Sequence, residues 1–95
     1  MNSGDLYTLL ESPFFEWELS HLGEIRELDE ILMNATRAIA QLADDLPLAP
    51  HSESIRYLSW EPVLQDDGTL IRLLIYFVIS NSTTAELVST KGEPL

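Results

Sequence analysis

The chain has 95 residues with 16 acidic and five basic side chains, a formal charge of −11, and no cysteine. Its length suits one compact domain spanning residues 1–95, and an apolar share of 45% is too high for a disordered acidic tail. Without cysteine there is no disulfide scaffold, thiolate nucleophile or thiolate zinc site. The negative charge opposes direct binding of nucleic acid and favours a basic protein partner.

Residues 1–12 are predicted to form a short helical N-terminus, because Leu6, Leu9 and Leu10 recur at helical spacing. This helical segment is predicted to end at Ser12, since a residue before proline is disfavoured in the helical region of φ and ψ. Pro13 is compatible with either an extended run or the start of a new helix.

Residues 14–20 allow two interpretations. Apolar and acidic residues alternate in Phe15-Glu16-Trp17-Glu18-Leu19, which favours a half-buried strand, whereas Phe14, Trp17 and His21 would line one side of a helix. We expect a strand in which Phe14 and Trp17 form an apolar anchor ringed by acids. Packing of these rings against the first helical turns is the alternative.

Residues 22–46 are predicted to form one long amphipathic helix. Apolar residues recur at alternating spacings of three and four, and prolines at 47 and 50 end the pattern. Glu24, Glu27 and Glu30 fall outside this apolar seam, so we expect the first half of the helix to present a negative surface to a basic partner. The seam comprises Ile25, Leu28, Leu32, Ala35, Ile39, Leu42 and Leu46.

Residues 55–90 are predicted to form an antiparallel meander. Asp67-Gly68 is a strong turn signal between two apolar runs, and a two-residue turn there would place Leu64 opposite Ile71 and Trp60 opposite Ile75. The fold class is therefore α+β, with the helix packed on three or four antiparallel strands. The face predicted to meet the helix carries Leu58, Trp60, Pro62, Leu64, Ile71, Leu73, Ile75 and Phe77.

The opposite sheet face is predicted to need a cover of its own. Leu74, Tyr76 and Val78 are too apolar for full exposure, and Arg72 lies beside them. One helix covers only one face of a sheet, so we expect another subunit or a target to cover this one. The predicted homodimer forms through this face or through the apolar seam of the helix.

No pattern in the sequence predicts catalysis. His21, Glu24 and Glu27 could approach one cation, but the ligand set is incomplete, and Asp66 and Asp67 suit turn geometry better than calcium binding. We therefore predict a non-enzymatic protein with no catalytic residue, metal site or cofactor. The N-terminus lacks the pattern of a signal peptide, no apolar run is long enough to span a membrane, and we expect a cytoplasmic protein.

Residues 72–78 (RLLIYFV) followed by 86–92 (ELVSTKG) resemble the last strands of the small toxin nucleases of RelE/ParE type, over about a third of the chain. The resemblance implies cleavage of messenger RNA on the ribosome by clustered basic residues. Only Arg72 and Lys91 could take that role here. A further alternative is that the acidic helix mimics nucleic-acid phosphates and blocks a protein that binds DNA or RNA.

The sequence thus predicts a small acidic protein-binding or regulatory protein that presents a negative helix to a basic protein partner and binds neither nucleic acid nor a membrane directly. The candidate partner-binding residues are Glu24, Glu27, Glu30, Trp17, Arg72, Leu74, Tyr76 and Val78.

Overall fold

The computed structural model describes residues 6–22 and 24–95. It is an α+β fold in which a four-stranded mixed sheet carries two helices on one side. The strands lie in the order β1-β4-β3-β2, with β1 parallel to β4 and the other pairs antiparallel. The elements are β1 Thr8–Glu11, α1 Pro13–Ser20, α2 Leu28–Leu42, a 3-10 turn Ala43–Asp45, β2 Ile55–Leu64, β3 Leu70–Ile79 and β4 Thr84–Pro94.

The first strand replaces part of the predicted helical N-terminus and makes the sheet mixed. β1 pairs with the edge of β4, where Thr8 N–H donates to Thr83 O at 2.8 Å and Ser12 N–H donates to Leu87 O at 3.0 Å. The free edge of β4 therefore satisfies the backbone of this segment, which overrides its helical spacing. The prediction of a purely antiparallel sheet is wrong at this pair. Residues 1–5 of the predicted segment lie outside the described residues.

Residues 13–20 form a helix, so the expected strand is wrong and the helical alternative is confirmed. Ser12 caps the helix, because its Oγ accepts a hydrogen bond from Phe15 N at 3.0 Å, and Pro13 occupies the first turn. Phe15 is fully buried, and Leu19 packs beside it against the core. This inward pair lies four residues apart, which is the helical period.

The second helix starts at Leu28 rather than Leu22. Before it, Ile25 bridges to Gln65 and Arg26 N–H donates to Leu64 O at 3.3 Å, so a short bridge at the end of β2 and a turn at 26–27 replace the predicted first helical turns. Glu27 then takes a left-handed conformation with φ 56° and redirects the chain into α2. Ile25 still packs on the core, so its place in the apolar pattern reflects burial rather than helical structure. Gly23 lies outside the described residues.

The β2–β3 hairpin differs in register from its predicted two-residue turn. Gln65 N–H donates to Thr69 O at 2.9 Å and Leu64 pairs with Leu70, so the loop is one residue longer than predicted. A second shift between Trp60 and Val63 moves the register again. Each one-residue shift moves the following side chains of β2 to the opposite face of the sheet. After the first shift, Val63 takes the core position expected for Leu64, and after the second, Trp60 lies on the predicted core face.

The sheet has a core face, packed against both helices, and an open face on the other side. Buried side chains from α1, α2, β2, β3 and β4 meet on the core face in one cluster. Pro62 and Leu64 were predicted to lie in this core, but both are exposed. The cluster comprises Phe15, Ala35, Ile39, Ala43, Val63, Ile71, Leu73, Ile75, Phe77, Ala85 and Leu87.

Candidate protein-interaction surface

A row of exposed rings runs along the outer side of α1. Phe14 and Trp17 are each 56% exposed, and the Trp17 ring lies 5.9 Å from Phe14 and 4.1 Å from His21, centre to centre. The Nδ1 of His21 lies 2.8 Å from Trp17 O and 3.1 Å from Ser20 Oγ, which fixes the imidazole at the end of the helix. Large aromatic side chains held rigid and exposed are typical anchors for protein binding.

Beside this row lies a groove of about 440 Å³, which we name the α1 groove. The groove opens at the end of α1, because this short helix does not reach the last part of the core face. Gly92 has no side chain there, and a Cβ on it would lie 2.9 Å from Ile71 Cδ1. The lining residues are Trp17, Glu18, His21, Leu22, Gln65, Thr69, Ile71, Thr90, Lys91, Gly92 and Pro94.

The α1 groove continues into an acidic corner formed by Glu24, Asp66 and Asp67. Gln65 lines both the groove and a second cavity that is lined otherwise by these three acids. Asp66 N–H donates to Glu24 O at 2.9 Å, which holds the loop before α2 against the β2–β3 turn. Arg26 lies 3.7 Å from Asp66, and both side chains are exposed. A groove with a mixed apolar and polar lining and a negative rim therefore adjoin each other.

The carboxylate of Asp67 shapes the turn at this corner. Its Oδ1 accepts from Thr69 N–H at 2.9 Å, and this bond, followed by one from the Thr69 hydroxyl, lowers the pKa of Asp67. The carboxylate therefore stays ionised to lower pH than an ordinary aspartate. Gly68 follows with φ 89°, a left-handed conformation that glycine adopts without strain.

The structure brings together only part of the predicted partner-binding set. Trp17 lines the α1 groove, and Glu24 lies in the adjoining acidic corner. Glu27 precedes α2 and Glu30 lies in its first turn, both exposed, and neither lines the groove. Gln65, Thr69 and Gly92 were missed, because their place in the groove arises from the hairpin and strand pairing and leaves no local sequence motif.

Glu18 was expected to be one of the acids around the anchor of Phe14 and Trp17, but its carboxylate instead bonds to β4. Its Oε1 accepts from Ser89 Oγ at 2.6 Å and from Thr90 N–H at 3.1 Å. Thr90 in turn donates from Oγ1 to Leu74 O at 2.7 Å and is buried. This chain of hydrogen bonds holds α1 against β4. It thereby also positions Trp17, which directly precedes Glu18 in the helix.

Arg72, Leu74, Tyr76 and Val78 lie on β3 along the open face, away from the α1 groove. Leu74 is only 6% exposed within the single chain, while Tyr76 and Val78 are half-buried. The ring of Tyr57 lies 6.0 Å from that of Tyr76. Tyr76 and Val78 are therefore available for contact with another molecule, whereas Leu74 is already covered by its own chain.

Four side chains form a charge belt across the open face: Glu61, Arg72, Lys91 and Glu93. Arg72 Nε lies 3.2 Å from Glu61 Oε2, and its Nη1 lies 3.8 Å from Glu93 Oε1. Lys91 Nζ lies 3.3 Å from Glu93 Oε2, and this hydrogen bond, with Tyr76 nearby, raises the pKa of Lys91. Positive and negative charges are equal in number along the belt.

Among residues 6–22 and 24–95, no group of three or more His, Cys, Asp or Glu side chains has a geometry that could hold a metal ion. In the same part of the chain, no helix combines the length and apolar character needed to cross a membrane.

Comparison of the chain with protein-family models, curated proteins and solved structures found no match in any of the three. Its function is therefore inferred from the arrangement of its own residues.

Proposed function

We propose that this chain is a small acidic, non-enzymatic binding protein that receives a basic segment of another protein in the α1 groove. The observation that carries this proposal is that the groove beside the exposed Trp17 shares Gln65 with the acidic corner. Trp17, Leu22, Ile71 and Pro94 give the groove its apolar part, and Lys91, the cation in its lining, is paired with Glu93. A partner that fits has an apolar side chain for the groove and Lys or Arg beside it.

The two parts of the site contribute in different ways. An aromatic anchor such as Trp17 can carry about 2 kcal/mol or more of binding free energy when a partner excludes water from it. The exposed carboxylates of Glu24 and Asp66 contribute mainly to the rate and selectivity of association, because solvent screens them. Glu27 and Glu30 extend the same negative field along the start of α2.

Selection from a displayed random peptide library tests the proposal. We expect enrichment of peptides that combine an apolar side chain with neighbouring Lys or Arg, and loss of at least about tenfold in affinity for Trp17→Ala. Met33→Ala is the matched control, because Met33 is equally exposed at 57% but lies on α2. Enriched peptides without basic residues, or unchanged affinity for Trp17→Ala, would overturn the proposal.

The dependence of binding on salt separates this function from mimicry of nucleic-acid phosphates. Binding anchored by Trp17 persists in high salt with a reduced association rate. A phosphate mimic relies on charge alone and would lose its partner under those conditions. The neutralised pair Asp66→Asn and Asp67→Asn should lower the salt dependence of selected peptides and keep most of their affinity.

One observation favours a second candidate function, ribonuclease activity of RelE/ParE type. The two cations that the resemblance requires, Arg72 and Lys91, converge on Glu93 on the open face. Glu61 and Glu93 neutralise them, which opposes phosphate binding and ranks this function second. Cleavage of ribosome-bound messenger RNA that is abolished by Arg72→Ala would favour it over the binding function.

A further inference from the structure

The open face ends in an apolar patch that its own chain leaves uncovered. Leu64 and Leu70 are partners across the β2–β3 pair and are 42% and 48% exposed. Leu95 N–H donates to Leu70 O at 3.4 Å, which places this residue, 54% exposed, beside them. Further along the same face, Tyr57, Tyr76 and Val78 are only half-buried.

Charge distinguishes this face from the rest of the molecule. The chain carries a formal charge of −11, yet the charge belt of Glu61, Arg72, Lys91 and Glu93 is neutral. Two copies that met through the acidic corner or the start of α2 would bring like charges together. Contact through the open face reduces this repulsion, because the acidic corner and the start of α2 then point away from each other and Glu86 adds a single charge beside the neutral belt.

The belt is also self-complementary. Its charges alternate in sign across the sheet, from Glu61 on β2 to Arg72 on β3 and Glu93 on β4. A two-fold axis presents the same patch on both copies, so carboxylates of one copy can meet cations of the other. A foreign basic partner would find no net negative charge on the belt and only Glu86 beside Val78 on the rest of β4, whereas a second copy finds both signs.

We propose that the open face is the interface of a symmetric homodimer, with the sheets of two copies stacked face to face and the helices outside. The patch of Leu64, Leu70 and Leu95 supplies the exposed apolar surface, and the charge belt sets the orientation. This interface shares Lys91 with the lining of the α1 groove, whereas Trp17 and the acidic corner lie outside it.

Sedimentation velocity of the full chain tests the interface through Leu70. We expect the wild-type chain to sediment as a dimer at tens of micromolar, and Leu70→Glu to sediment as a monomer with unchanged circular dichroism. Met33→Glu is the control, since it places the same charge on an exposed apolar site of α2. A monomeric wild type, or a Leu70→Glu variant as dimeric as wild type, would overturn the proposal.

A second measurement does not depend on disrupting the dimer. Because the chain has no cysteine, a single spin label can be attached to Ser59→Cys on the open face or to Asn34→Cys on α2. Face-to-face stacking predicts a shorter distance between labels at position 59 than at position 34. The reverse order would place the interface elsewhere. Trp17→Ala should leave both readouts unchanged, so failure of the groove proposal is distinguishable from failure of this one.

Discussion

Single side chains link segments that are distant in the sequence. The Tyr7 hydroxyl lies 2.9 Å and 3.0 Å from the two carboxylate oxygens of Asp44 and joins the start of β1 to the turn after α2. This hydrogen bond, followed by desolvation and the charge of Asp44, raises the pKa of Tyr7. Tyr7 N–H also donates to Ala40 O at 3.0 Å, so backbone and side chain hold the same junction.

Replacing Tyr7 with phenylalanine should lower the free energy of unfolding by about 0.5–1 kcal/mol at neutral pH, the lower part of the range for a hydrogen bond because the pair is partly solvated. Since the folded pKa exceeds the unfolded value near 10, this stabilisation is complete below about pH 10 and declines as the pH rises through the folded pKa. Urea unfolding of both chains at pH 7 and at higher pH measures the difference.

The matched variant for this prediction is Asp44→Asn, which keeps a hydrogen-bond acceptor and removes the charge that raises the Tyr7 pKa. The free energy of unfolding of Asp44→Asn should decrease less steeply with rising alkaline pH than that of the wild type. A Tyr7→Phe chain with the same alkaline loss of stability as the wild type would contradict the assigned role of the hydroxyl.

The stability of helix α1 comes from its contacts with the rest of the fold. A helix of eight residues is too short to be stable alone in water. The Ser12 cap, burial of Phe15 and the bonds from β4 to Glu18 hold it in place. These inward contacts are what allow the opposite side of the helix to keep Phe14 and Trp17 exposed.

Removing the cap with Ser12→Ala should therefore destabilise the protein by about 1 kcal/mol, because the N–H of Phe15 loses its acceptor. The Ser20→Ala variant is the control at the other end of α1, where the hydroxyl donates to Trp17 O in an exposed position. Thermal and urea unfolding measure both effects. Equal losses for the two variants would show that capping does not determine the stability of this helix.

At the scale of the whole molecule, charge and apolar surface are divided between two sides. Two helices cover most of the core face, the open face carries a neutral belt, and much of the acidic surface lies around α2 and the β2–β3 turn. Self-repulsion within this negative surface opposes compact folding.

Raising sodium chloride from about 0.01 M to about 1 M shortens the Debye length from about 30 Å to about 3 Å and should raise Tm. A gain of about 1 kcal/mol corresponds to about 4–8 °C for a domain of this size. Differential scanning calorimetry measures the shift at a fixed protein concentration, since dimerisation also affects Tm. The double variant Glu27→Gln and Glu30→Gln should show a smaller increase, and an unchanged or larger one would contradict repulsion as the cause.

The α+β class, the presence of a hairpin around Asp67-Gly68 and much of the core follow from local patterns in the chain. Local signals suffice for these features, because an Asp-Gly pair specifies a turn and apolar spacing reports burial. Ile25, Trp60 and Leu73 were assigned to the apolar side correctly even where the element or register differed. Trp17 and Glu24 were also identified as surface candidates from residue type and acidic neighbours alone.

The path of the chain between these features depends on long-range contacts. β1 is a strand because β4 offers it a free edge, and residues 24–26 are not helical because they bond to the end of β2 and to the β2–β3 loop. The α1 groove likewise exists because α1 ends early over Gly92 and the hairpin brings Gln65 alongside Trp17. These outcomes depend on hydrogen bonds and packing between residues far apart in the chain, which no local pattern encodes.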